Sequence, residues 1–188
     1  MEALPETRSA VSPSPQVPNR IVEPLSEFHR REAFTCGVDA LDNYFHHQVG
    51  QDVRKGVACA YVLTPSDDRH VVLGFYTLCS AVVPLIDFPP QTSKRLPRYP
   101  NVPATLIGRL AVSAAHRGKG VGEYLLMDAL AVSFEQSRKI ASAAVIVDAK
   151  DEAALKFYRR YGFISFLDAP ARLFLPMKTI ARLVSALS

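Results

Sequence analysis

The sequence contains no tryptophan and only three cysteines in 188 residues. Cys36, Cys59 and Cys79 form no C-x-x-C pair and no even set. That excludes a disulfide framework and makes a reducing, cytoplasmic compartment the expectation. There is no H-E-x-x-H and no Cys/His ligand spacing, so His46 and His47 read as polar helix positions and no metal is expected. No stretch approaches the roughly 20 uninterrupted apolar residues of a membrane span. Met1-Glu2-Ala3-Leu4-Pro5-Glu6 lacks both the basic start and the apolar run of a secretory signal.

What is present is enough to build a core. Hydrophobic residues make up 48% of the chain and charged ones 21%, with a net charge of +4. This is a globular composition of about one domain, mildly basic and compatible with a polyanionic ligand. Residues 1–20 are the exception. They hold Pro5, Pro13, Pro15 and Pro18 with three serines and few large apolar side chains. A disordered Pro/Ser-rich leader is expected there, with the folded domain over 21–188.

Leu41, Phe45, Val49 and Val53 recur at every fourth position after Cys36-Gly37, which predicts an amphipathic helix ending near Gly56. Residues 57–63 and 71–78, separated by a Pro/Asp turn, predict an antiparallel hairpin whose second strand extends toward Val83. Six prolines in 84–103 argue against helix or central strand there. That segment carries Lys94, Arg95 and Arg98 against one acid, Asp87. It is either a functional loop or a solvated connector. A strand is predicted over 104–112, with Gly108 marking a bulge or a close approach. A helix follows near 123–137, then a buried strand at 143–147, a helix at 151–161 closed by Gly162, and late strands at 163–166 and 172–177. This order implies a layered α/β (α+β) domain with a partly parallel sheet.

Arg117-Gly118-Lys119-Gly120-Val121-Gly122 sits between that strand and that helix. Glycines there let backbone N–H groups face an anion, and the helix start adds partial positive charge. The spacing matches neither G-x-x-x-x-G-K-[ST] nor G-x-G-x-x-G, which removes P-loop nucleotidases and the dinucleotide fold. Arg-x-x-Gly-x-Gly after a strand resembles the acetyl-CoA signature of the GNAT N-acetyltransferases. Asp151 through Gly162-Phe163, with Ala154, Phe157 and Tyr158 inside, resembles the closing motif of the same family, with Asp151 where Asn is usual.

The resemblance implies a mixed central sheet splayed at an acetyl-CoA site, with flanking helices. It implies that Leu110, Ala111 and Val112 pair with the pantetheine arm. A backbone N–H near Leu110 would polarise the thioester carbonyl. Arg117 to Gly122 would hold the pyrophosphate, and Asp151, Ala154 and Phe157 would border the cofactor. Tyr158 would protonate the leaving thiolate, because a phenol near pKa ~10 is protonated at neutral pH. Otherwise Tyr158 is a packed core aromatic.

No carboxylate occurs in 104–112 or in 71–83, and Arg109 stands where a base is often found. An α-amine, with a pKa near ~8 that an adjacent ester lowers further, needs less help than lysine at ~10.4. Phe34–Asp42, Gly74–Leu78, Leu96–Pro100, Gly108–Val112, Val147–Asp151 and Leu175–Thr179 together resemble the acetyltransferase toxins of bacterial toxin–antitoxin modules. The resemblance implies acetylation of the α-amino group of aminoacyl-tRNA, arrest of translation, a ribbon-helix-helix antitoxin and a homodimer. An ordinary amine acetyltransferase acting on small molecules or proteins is the alternative. Arg54, Lys94, Arg95, Arg98, Arg109 and Arg159 are candidates for the tRNA, each also readable as a solvated surface charge. Leu173, Phe174, Leu175 and Ile180 either contribute to the dimer or complete the core.

Overall fold

Leu41, Phe45, Val49 and Val53 share the spacing of one helical face. The computed structural model describes residues 20–185 and is helical through all four. Its segments are α1 (Asp39–Asn43), a π-helical turn (Tyr44–Gln48) and α2 (Val49–Arg54). The π turn is wider than an α turn and brings Tyr44 inside beside Phe45, while Val53 is left exposed. Of the expected leader over 1–20, residues 1–19 lie outside the described residues, and Arg20 corrects its boundary by opening the first strand.

The strands are β1 (Arg20–Pro24), β2 (Cys59–Pro65), β3 (Gly74–Pro84), β4 (Asn101–Val112), β5 (Ala144–Asp148), β6 (Ile164–Ser165) and β7 (Arg172–Pro176). They form one sheet in the order β1-β2-β3-β4-β5-β7-β6. The β2–β3 hairpin is antiparallel as predicted. The one parallel pair is β4–β5, joined by a helical crossover. The remaining helices are α3 (Pro90–Ser93), α4 (Val121–Ser137), α5 (Glu152–Arg160) and α6 (Met177–Ser185).

Side chains alternate across the sheet. One face presents Tyr76, Leu78, Ile107, Val145, Val147, Leu173 and Leu175 to α4, α5 and α6. Fully burying each such leucine or valine contributes roughly 1.5–3 kcal/mol. On this face the Tyr76 hydroxyl donates to Asp128 of α4 at 2.5 Å, and burial first raises the pKa of both groups. The opposite face carries two separate clusters. Ala60, Val62 and Phe75 lie under Phe34, Phe45 and Val49, whereas Val83, Val102, Ile146 and Phe174 lie under Phe88 and Phe166.

One further expectation is corrected, and one pair of alternatives is narrowed. The proline-rich segment is not devoid of regular structure: Pro90 opens α3 at a position that needs no N–H, and Pro103 lies inside β4 opposite Val82. Pro103 fits because its carbonyl accepts from Ala143 N–H at 2.9 Å, so its ring nitrogen faces β5 one residue before β4–β5 pairing begins at Ala104. The carboxy-terminal apolar residues complete the core of their own chain: Leu173, Phe174, Leu175 and Ile180 are each 0% exposed, and α6 packs over the α4 side of the sheet.

Candidate active site

β4 pairs with β5 only from Ala104 to Ile107 and then diverges from it. At this point Leu78 pairs with Ile107 and Thr77 with Arg109, which leaves Gly108 as an extra residue on β4. The bulge anticipated at Gly108 is therefore present, and it changes which way the strand points its polar groups. Pro103 and Ser113 are both odd-numbered, and an uninterrupted strand would face them to the same neighbour. Instead Pro103 O accepts from Ala143, on the β5 side, and Ser113 N–H donates to Leu73, on the β3 side. The inserted residue reverses the alternation. Leu110 and Val112 consequently turn their N–H and C=O groups to the side that β5 has left.

A cleft of about 690 Å³ opens where the strands part. Leu110, Ala111 and Val112 form one wall, and Arg117, Gly118, Gly120, Val121 and Gly122 close one end. Asp151, Ala154, Phe157 and Tyr158 form the facing wall. Gly118 and Gly120 have φ of +73° and +74°, a backbone that L side chains adopt at a cost of roughly 1–2 kcal/mol. A Cβ at either glycine would meet nothing within 4 Å, so the turn presents bare backbone to the cleft. The Arg117 guanidinium donates to the Cys36 carbonyl and ties the turn to the start of α1.

Tyr158 is buried, and its hydroxyl makes no hydrogen bond among the described residues. Burial pushes its pKa up to about 12. Asp151 caps α5, with Oδ1 accepting from Ala154 N–H at 2.7 Å. That bond first, and Lys150 after it, hold the exposed Asp151 carboxyl below the ordinary carboxylate value. The capping needs a side-chain oxygen that Asp and Asn both supply.

Other candidates stand apart. Lys119 Nζ donates to Ala115 O at 3.0 Å, outside the cleft lining. Arg159 turns away to Ser165 Oγ at 3.1 Å, while Arg160 and Tyr161 line the cleft. Helical periodicity contains that signal, because 157, 160 and 161 share one face and 159 does not. Lys94 and Arg98, with Tyr99, line a second cavity of about 700 Å³, and Arg95 is exposed beside it. Arg54 is exposed and lies with Arg31 over Gly50. Arg109 stacks on the Tyr44 ring at 3.5 Å. The cleft also includes residues that motif reading passed over, among them Leu41, His116 and Glu123. The His116 pKa is lowered by burial and then by the charges of Lys119 and Arg20.

A parallel pair that splays after Ile107, a β-bulge at Gly108 and a glycine turn at the head of a helix form an open strand edge that ends in an anion-binding turn, as the resemblance to acetyl-CoA enzymes implies. Residues 90–165 match the acetyltransferase (GNAT) domain model. A probable toxin TacT of Sinorhizobium fredii is 32% identical over 173 residues, 88% of this chain and 95% of its own. The chain belongs to the GNAT acetyltransferases. A tRNA-acetylating toxin of Mycobacterium tuberculosis is 32% identical over 81% of this chain and 89% of its own. Among solved structures, AtaT complexed with acetyl-methionyl-tRNAfMet has a TM-score of 0.82 at 29% identity, covering 88% of this chain and 99% of AtaT. A mutant AtaT toxin bound to the C-terminus of the antitoxin AtaR and acetyl-CoA has a TM-score of 0.74 at 27% identity, covering 87% and 97%. This GNAT protein is an acetyl-CoA-dependent N-acetyltransferase related to toxins. No described helix is long and apolar enough to cross a membrane.

Proposed function

We propose that this GNAT enzyme acetylates the α-amino group of aminoacyl-tRNA, and that it acts as a translation-blocking toxin neutralised by a ribbon-helix-helix antitoxin. A homodimer working in the cytoplasm completes the reading. Acetyl-CoA, when bound, supplies the activated acetyl thioester. Leu110 N–H, turned to the open side by the bulge, would stabilise the developing oxyanion. The exposed backbone of Arg117 to Gly122 would hold the pyrophosphate, and Leu110 to Val112 would pair with the pantetheine arm. Tyr158 would deliver its hydroxyl proton to the departing thiolate.

The observation that carries the choice of acceptor is the lack of an acidic side chain on the two strands at the transfer point. Neither β3 nor β4 bears a carboxylate, and Arg109 follows the bulged Gly108. An amine that is largely neutral on its own fits such a site, and an esterified α-amine is one. The names of the relatives support the same acceptor. Arg54, Lys94, Arg95, Arg98 and Arg159 remain candidates for the tRNA backbone.

The test is transfer of radiolabelled acetyl from acetyl-CoA to charged tRNA, with deacylated tRNA as control. Label on the charged pool only, lost in Tyr158→Phe, is expected. Turnover of free amines or proteins with charged tRNA unlabelled would replace this reading with an ordinary amine acetyltransferase.

A further inference from the structure

The two core clusters on the sheet face opposite α4 do not merge. Between them runs a strip formed by Thr77 and Cys79 of β3 and Arg109 of β4, whose side chains alternate onto that face. The strip is open to solvent at the bulge, where Gly108 is exposed and Cys79 and Arg109 are half-buried. Arg109 is held by stacking, its guanidinium 3.5 Å from the centre of the Tyr44 ring. Tyr44 is fixed in turn. It is buried, and its hydroxyl donates to Asp52 at 2.9 Å. The Asp52 carboxylate is thereby used to place the ring rather than to neutralise the arginine. The Arg109 guanidinium makes no hydrogen bond or ion pair with any described residue.

A guanidinium fixed through its face keeps its fork of N–H donors for a partner, and that fork matches the paired oxygens of a phosphate. Position narrows the choice of phosphate. Arg109 precedes Leu110, the residue whose N–H faces the thioester side of the cleft, and it lies on the face that α4 leaves uncovered. An anion bound there lies on the face of β4 opposite α4, at the strand position next to Leu110. We propose that Arg109 binds the phosphodiester adjoining the reacting end of the acceptor, with Tyr44 and Asp52 as its positioning residues. The enzyme thereby selects an amine carried on nucleic acid over the same amine without a phosphate. This rests on the aminoacyl-tRNA reading above.

The experiment compares kcat/KM for charged tRNA with kcat/KM for the matching aminoacyl-adenosine, which keeps the ester and amine and has no phosphate. Acetyl-CoA affinity is measured by calorimetry on each variant. Arg109→Gln is expected to lower kcat/KM on charged tRNA by roughly 10- to 100-fold, the worth of a charge-assisted hydrogen bond, and to leave aminoacyl-adenosine and acetyl-CoA binding unchanged. Arg109→Lys should recover part of the loss. Tyr44→Phe keeps the ring and frees it from Asp52, so it should show a smaller loss with the same substrate bias. Equal losses on both substrates, or none on either, would overturn the proposal while leaving the proposed function intact. Failure of the wild-type enzyme to label charged tRNA would overturn both.

Discussion

The cofactor cleft and the strip of side chains on the other face of β4 are built from different material. The cofactor side is mostly backbone: a strand freed from its neighbour, a bulge that aims Leu110 and Val112, and a glycine turn that bares its amides. The strip proposed for the acceptor is mostly side chain, with Arg109 stacked on Tyr44 and Tyr44 anchored to Asp52. Backbone recognition is indifferent to most substitutions, so one thioester carrier can be kept across many enzymes. Side-chain recognition can be rewritten residue by residue, and the proposed specificity for the acceptor rests on it. Tyr158 belongs to the cofactor side by position, and in the proposed function its proton serves the transfer between the two.

The sharpest way to separate the sides is to remove that proton. Tyr158→Phe should lower kcat by about 10²- to 10⁴-fold, the usual range for a lost general acid, with acetyl-CoA affinity unchanged by calorimetry. The pH profile makes the same point. Burial lifts the hydroxyl to about 12, so it stays protonated across the working range. From about pH 6 to 9 the wild-type kcat/KM should only rise, following deprotonation of the acceptor amine. A falling limb within that range would remove Tyr158 from the role.

A smaller effect should follow from disturbing the bare backbone. Gly120 sits at φ +74° with open space where a Cβ would project. Gly120→Ala should weaken acetyl-CoA by roughly 10-fold, measured by calorimetry, and lower stability by about 1–2 kcal/mol. The substrate preference proposed for Arg109 should not move. If Gly120→Ala changed the ratio between charged tRNA and aminoacyl-adenosine, the division into two sides would fail.

The same division explains how much the sequence disclosed. Glycine spacing, the helix from Glu152 to Arg160 and the bulge at Gly108 are local, and each left a local mark. The pairing of Arg109 with Tyr44 joins residues on separate elements, and no periodicity relates them. Pro103 misled in the opposite sense, because its fitness for a strand depends on β5 starting one residue later, which only the register shows. The carboxy-terminal tail was ambiguous for a similar reason. Its apolar residues suit a dimer or a core equally well until β7 is seen lying between β5 and β6.

Gly74 tests what the two sides share. It lies where β3 meets α4 and the end of β4, and a Cβ there would stand 2.6 Å from Leu125 Cδ1 and 2.8 Å from the Ala111 carbonyl. The leucine can move but the backbone oxygen cannot yield cheaply. Gly74→Ala should cost about 1–3 kcal/mol in urea unfolding, as overpacking does. The surviving folded enzyme should keep the wild-type substrate ratio, because the strain falls on Ala111 and α4 rather than on Arg109 and Tyr44.

The smallest effect is expected at Asp151, and its sign can be worked out. The Ala154 N–H and, less strongly, Lys150 depress the folded-state pKa below the ordinary value of 3.8. The unfolded chain therefore binds more protons than the folded one in the window between the two values, and stability rises with pH through it. The contribution is complete above the unfolded value and is lost as pH falls through the folded one. Asn at this position keeps the capping oxygen and loses the charge that favours a helix N-terminus. Asp151→Asn should thus melt slightly below wild type at neutral pH, and the gap in Tm should close as the pH is lowered past the carboxylate range. Acetyl-CoA affinity should be the same in both, because the side chain is engaged by its own helix rather than by the cofactor. A loss of affinity with no change in Tm would transfer Asp151 from the scaffold to the cofactor site.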